Sequence, residues 1–158
     1  MASTPGLLGR FAAAFRRRGA PSSAPSSDTG STGGAVLEYS PCLDGDPDPG
    51  EVVWTWVPYE EDPSQGKDRP VAIIGRRGHL LVGVPLTSKD HSGEHGDRWQ
   101  VAVGSGPWDR SGRPSFAKID RVLDVVPEQV RREGAVLPKA TYDAIVAGVA
   151  RAHRAAGR

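Results

Sequence analysis

Gln65-Gly-Lys-Asp-Arg69-Pro70, Val71-Ala-Ile-Ile74-Gly75 and, after four further residues, Leu80-Leu-Val-Gly-Val-Pro-Leu-Thr87-Ser88 decide the fold. The continuous apolar run Val71 to Ile74, bounded by Pro70 and Gly75, predicts a short buried strand. Arg76-Arg77-Gly78 predicts the tip of a hairpin, with Gly78 free to take positive φ. Leu80 to Leu86 then returns antiparallel beside the first strand. Gln65 to Arg69 is read as a polar loop, so Arg69 stands just before one strand and Thr87-Ser88 just after its partner. That juxtaposition puts a guanidinium and two hydroxyls at one edge of the sheet. Arg presents planar donors that suit an anion, phosphate above all. The plainer alternative is turn chemistry, because Pro fixes φ and Thr or Ser bonds local backbone.

Outward from this hairpin, the 158 residues allow one domain and not comfortably two. Apolar residues make up 37%, and the 20 Gly and 14 Pro exceed one residue in five, which suggests a compact core with unstructured flanks. Residues 1–35 read as a tail and linker, 36–48 as an irregular acidic lead-in, and 49–154 as the folded domain. In the tail, Leu7, Leu8, Phe11 and Phe15 line one face of a short helix, with Arg10 and Arg16 to Arg18 opposite. Such a segment either rests on an acidic membrane or a partner, or frays, since two turns are marginal alone. Its basic cluster follows the apolar stretch, the reverse of a secretory signal.

Charge is unevenly distributed. Residues 1–27 carry four Arg and no acid, whereas Pro49 to Leu137 holds twelve Lys and Arg against thirteen Asp and Glu, about −1. The core is therefore no broad basic surface, which argues against tight nonspecific nucleic-acid binding and leaves room for a small cationic site. Cys42 is the single cysteine, so a disulfide framework and a Cys-rich metal site are excluded, and a reduced, cytoplasmic setting is expected. No apolar run reaches the length of a membrane span, so no stable membrane insertion is expected.

The remaining elements follow from pattern. Ala35 to Tyr39 extends or covers the core, and the acidic run Asp44 to Pro49 lacks the spacing of a calcium loop. Glu51 to Val57 is a strand with Val52, Trp54 and Trp56 on one face. His91, Glu94, His95 and Asp97 invite a metal or general-base reading. Gly93 and Gly96 interrupt any helix that would align them, so the segment is read as a loop beside the site. Trp99 to Val103, Ser115 to Ile119 and Val122 to Val126 are further strands. Pro127 is expected to start a short helix closed by Gly134, and Pro138 the last helix, with Tyr142, Ile145, Val146 and Val149 at helical spacing.

Gly50-Glu-Val-Val-Trp54, Gln65-Gly-Lys-Asp-Arg69-Pro-Val, Val84-Pro-Leu-Thr87-Ser88, Arg113-Pro-Ser115 and Asp120-Arg121 occur in an order and spacing that resembles the MazF/PemK toxins of bacterial toxin–antitoxin systems. Arg132-Glu-Gly134-Ala-Val-Leu137 is similar to their closing segment. The resemblance implies a mainly β fold with appended helices, an SH3-like small β-barrel of the MazF/CcdB kind with a C-terminal helix, usually homodimeric. It further implies a cytoplasmic endoribonuclease that needs neither metal nor cofactor, cuts single-stranded RNA at short sequences, and is neutralised by a cognate antitoxin protein. In that chemistry the ribose 2′-hydroxyl attacks the adjacent phosphorus, leaving 2′,3′-cyclic phosphate and 5′-hydroxyl ends.

Carried over by residue, Arg69 matches the family's catalytic arginine and Thr87 its catalytic threonine, with Ser88 beside it. Lys67, Trp108, Ser115, Asp120 and Arg121 are the candidate RNA contacts. Trp108, Trp99 or Tyr59 would stack a base, with barrel packing the favoured role of Trp54 and Trp99, while Ser115, Asp120 and Arg121 either touch RNA or stabilise the barrel edge. Trp56 stands where many relatives carry an acid. The competing reading is a non-catalytic interaction module, or a topoisomerase-poisoning toxin, on the same barrel; the pairing of Arg69 with Thr87 favours the nuclease.

Overall fold

The computed structural model describes residues 34–42, 44–89 and 97–157. The basic tail and His91, Glu94 and His95 lie outside the described residues, as does the side chain of Asp97. The described chain forms eight strands and one long helix: β1 (Val36–Leu37), β2 (Glu51–Pro58), β3 (Gly66–Arg77), β4 (Leu80–Thr87), β5 (Gln100–Gly104), β6 (Ser115–Lys118), β7 (Leu123–Val125), β8 (Arg132–Val136) and α1 (Lys139–Ala155). The pairings are antiparallel, in the order β5-β6-β4-β3-β2-β8, and the sheet curls into a half-barrel. The mainly β expectation with a C-terminal helix holds.

The central hairpin is longer than its apolar run. Arg77 pairs with Leu80, so Arg76 and Arg77 belong to β3 and the turn is Gly78-His79, with Gly78 at φ 62°. At the other end, β3 begins at Gly66, so Lys67, Asp68 and Arg69 are strand residues and not a loop. Their polar side chains hid the strand, because only the cross-strand partners Trp56, Val57 and Thr55 supply the ladder.

Alternation divides the sheet into two faces. Val52, Ala72, Ile74, Val82, Val84 and Leu86 point into the main core, which α1 closes with Tyr142, Ile145 and Val149. Val53, Val57, Val71, Ile73, Leu81 and Val125 form a second buried cluster on the opposite face. Gly148 lets α1 settle close to the sheet, since a Cβ there would lie 2.9 Å from Val101 Cγ2 and 3.0 Å from Ile119 Cγ2. Ile145 has no exposed surface, and truncating it to Ala would cost about 2–5 kcal/mol.

The lead-in joins the fold. β1 pairs with β3 at Arg76 and Gly75, Ala35 is buried, and Tyr39 donates from its hydroxyl to Leu137 O at 2.7 Å. The buried Glu51 carboxylate accepts from the backbone N–H of Cys42 (2.7 Å) and of Asp48 (3.1 Å), satisfying donors that the irregular segment would otherwise bury.

One element is corrected outright. The helix expected from Pro127 to Gly134 is only a 3₁₀ turn, Pro127–Gln129, after which β8 runs through Gly134. Pro early and Gly late mimic helix punctuation, but pairing with β2, Glu51 opposite Val136 and Trp54 opposite Arg132, captures the segment as an edge strand. After Pro138, by contrast, α1 forms as expected, and Gly157 past its end has φ 79°.

Candidate functional site

β3 and β4 pair as far as Val71 opposite Pro85 and then part. Pro70 and Pro85 lack N–H groups, which weakens the ladder where it ends. Beyond this point β3 stays with β2 down to Gly66, while β4 turns to β6, Leu86 facing Ala117 and Thr87 facing Phe116. Arg69 lies two residues before Val71, and Thr87 two residues after Pro85. They therefore flank the fork on one face of the sheet, the face of the second cluster. Both residues sit within strands, Arg69 in β3 and Thr87 at the end of β4, and not in the loops that the sequence suggested.

Their chemistry differs from that of ordinary turn residues. Arg69 Nε is buried and has no hydrogen-bond partner among the described residues. Such a donor costs about 1–3 kcal/mol relative to a satisfied one, and an anion at the fork would satisfy it. Thr87 Oγ1 accepts the backbone N–H of Lys89 at 3.1 Å, which fixes the hydroxyl oxygen and leaves its hydrogen available to donate. Ser88 is exposed just past the end of β4. Lys67 is exposed on β3 and shares the Arg69 face, two residues away.

The other expected RNA contacts are placed elsewhere. Trp108 is 3% exposed and packs in the main core, where its indole N–H donates to Ser115 Oγ at 3.0 Å. Ser115 is itself 3% exposed. The expectation that this pair touches RNA is therefore corrected: each satisfies the other's buried polar group, and neither offers its side chain to solvent. Arg121 donates from Nη2 to Pro58 O and lies 3.6 Å from Glu60, which also pairs with Lys118 at 3.8 Å. It pins the β2–β3 connection to the β6–β7 turn, the edge-stabilising role. Asp120 is exposed on that same turn.

Three residues near the fork escaped the sequence reading. Thr55 is buried directly opposite Arg69 and donates from its hydroxyl to Gln129 O at 3.4 Å. Phe116 stands directly opposite Thr87, on the same face. Lys118 follows Phe116 on that face by strand alternation. A signal was present in Ser115-Phe-Ala-Lys118, where the small residues go inward and the aromatic lies on the same side as Lys. Elsewhere, Cys42, Asp44 and Asp48 bring ligand-capable atoms within 4.8 Å of one another, but Asp48 is ion-paired to Arg76 at 2.7 Å, at the far end of β3.

Residues 48–153 match the family model described as PemK-like, MazF-like toxin of type II toxin–antitoxin system. No curated protein matches the chain. Among solved structures, MazF (Form-I) from Deinococcus radiodurans is similar at 17% identity with a TM-score of 0.54, covering 73% of this chain and 100% of that one. MazE-MazF (Form-II) from the same organism has 17% identity and a TM-score of 0.52, covering 68% and 96%. An endoribonuclease in complex with its cognate antitoxin, from a mycobacterial species, has 17% identity and a TM-score of 0.52, covering 68% and 95%. At that identity these likenesses speak for the fold alone.

Proposed function

The chain belongs to the PemK-like, MazF-like toxins of type II toxin–antitoxin systems, and from that premise we propose a sequence-specific, metal-independent endoribonuclease that uses Arg69 and Thr87 on single-stranded RNA. The observation that carries the reading is the fork itself, which puts a buried guanidinium nitrogen with no partner among the described residues and a hydroxyl on one face of two diverging strands. A scissile phosphate seated there accepts from Arg69 and from Thr87.

The nucleophile belongs to the substrate. The ribose 2′-oxygen forms a bond to phosphorus, the bond from phosphorus to the 5′-oxygen breaks, and the proton lost by the first oxygen is matched by one gained at the second. Charge on the nonbridging oxygens rises at the transition state, and Arg69 meets it with charge-assisted bonds in a partly buried setting. Thr87 bonds the same phosphate and fixes the line of attack. Arg69 acts as an electrostatic stabiliser, because a guanidinium offers five donors and no acceptor. The partners of this reading are single-stranded RNA, an antitoxin protein that covers the fork, and a second copy of the chain. Among the described residues no helix is long and apolar enough to cross a membrane.

The test is incubation with mixed single-stranded RNA in excess EDTA, beside Arg69→Ala, with the ends mapped. Cyclic phosphate and 5′-hydroxyl ends, lost in the variant, are the expected result. Equal cleavage by both proteins, or none by either, would overturn the assignment.

A further inference from the structure

We propose that Phe116 is a base-stacking residue of this site, holding the nucleobase next to the scissile phosphate; the inference rests on the ribonuclease reading and deepens it. β6 is a four-residue strand whose alternation sends Ser115 and Ala117 inward, both buried, and Phe116 and Lys118 to the other face. Phe116 is half-buried yet packs against neither of the two core clusters. An aromatic ring so placed contributes little to the fold. Its position is specified by the ladder: Phe116 is the direct cross-strand neighbour of Thr87, on Thr87's own face, and strands in a sheet lie about 4.8 Å apart.

On its other side Phe116 faces Ala102 of β5, which is exposed and too small to cover the ring. The same face carries Arg69 and Lys67 on β3 and, on β6, Lys118, whose Nζ also lies 3.8 Å from Glu60, so cationic donors gather around one aromatic ring. That combination fits a single-stranded nucleic acid, whose phosphate takes the donors and whose unstacked base takes the ring. Gln100 Nε2 donates to Lys89 O at 3.1 Å, tying β5 to the residue whose N–H orients the Thr87 hydroxyl. The ring and the hydroxyl are thereby held in one frame.

The experiment uses the full chain and a single-stranded oligonucleotide carrying the mapped cut sequence. The attacking ribose is replaced by its 2′-deoxy form, and 2-aminopurine is placed on either side of the cut. Stacking quenches 2-aminopurine fluorescence. Wild type and Phe116→Trp are expected to quench one of the two probes. Phe116→Leu is expected to lose that quench and to bind about ten- to a hundredfold more weakly. On cleavable RNA, Phe116→Leu should raise KM more than it lowers kcat. A Phe116→Leu protein that binds and quenches like wild type, while the wild type cuts RNA, overturns the stacking role and leaves the nuclease standing. So does a Phe116→Leu protein that keeps RNA affinity but loses its antitoxin, which would assign the ring to the protein partner. A wild type that cuts no RNA and binds no oligonucleotide brings down the ribonuclease reading, and this inference with it.

Discussion

β3 carries Arg69 near its start and Arg76 near its end, and the two arginines do opposite things. Arg76 is ion-paired: its Nη2 lies 2.7 Å from Asp48 and its Nε 3.3 Å from Glu38, so it clamps the lead-in to the sheet. Around it, Tyr142 donates to Ile74 O at 2.8 Å and Tyr39 to Leu137 O at 2.7 Å, with their rings 5.2 Å apart. Arg69 lies where β3 and β4 diverge, with Nε buried and unpartnered among the described residues. One strand thus has an arginine held in ion pairs near its end and, near its start, an arginine whose buried Nε has no partner among the described residues. A buried guanidinium nitrogen left without a partner beside a cluster of donors points to an anion.

The sharpest way to break this contrast is Arg69→Ala, expected to lower RNA cleavage about 10²- to 10³-fold or more while leaving the urea midpoint unchanged or slightly raised. A large loss of stability would show that Arg69 is a structural residue after all. Thr87→Val should cost about 10- to 100-fold in kcat, the worth of one hydrogen bond to a charged group, and Thr87→Ser should recover most of it. Full activity in Thr87→Val with loss in Thr87→Ser would mean that the methyl group, not the hydroxyl, matters.

At the Arg76 end the expectation inverts. Arg76→Met should lower stability by about 1–2 kcal/mol in chemical denaturation while leaving cleavage by the folded protein near wild type. The smallest effect concerns alkali. Burial holds the Tyr142 phenol well above its ordinary value, with the Glu38 and Asp143 carboxylates adding to the shift. Below about pH 10 the phenol is protonated in both folded and unfolded chains. Above it only the unfolded chain readily releases the proton, so stability falls as pH rises. Tyr142→Phe should remove that part of the alkaline slope, read as urea midpoints between pH 8 and 11.

Legibility followed chemistry. Apolar runs marked the strands through Val71–Ile74 and Leu80–Leu86, and period marked the helix through Tyr142, Ile145 and Val149. Lys67 to Arg69 escaped as strand because their ladder partners, not their own side chains, place them in the sheet. Trp108 was misread for a related reason: an indole is equally suited to stacking a base and to filling a core, and only the hydroxyl of Ser115 at 3.0 Å shows which. The Pro127–Gly134 segment carried helix punctuation, yet β2 offered it an edge.

By itself the sequence determined a β-rich core, the central hairpin, the closing helix, and Arg69 and Thr87 as the pair to watch, because burial period and donor chemistry are local properties. Tertiary structure alone decided that β3 and β4 part at Val71 and Pro85, that Arg76 is ion-paired while Arg69 Nε is buried with no partner among the described residues, and that Phe116 stands beside Thr87. Those are matters of strand register and of which partners lie within reach, and residues far apart in the chain meet only once the sheet has closed on its register.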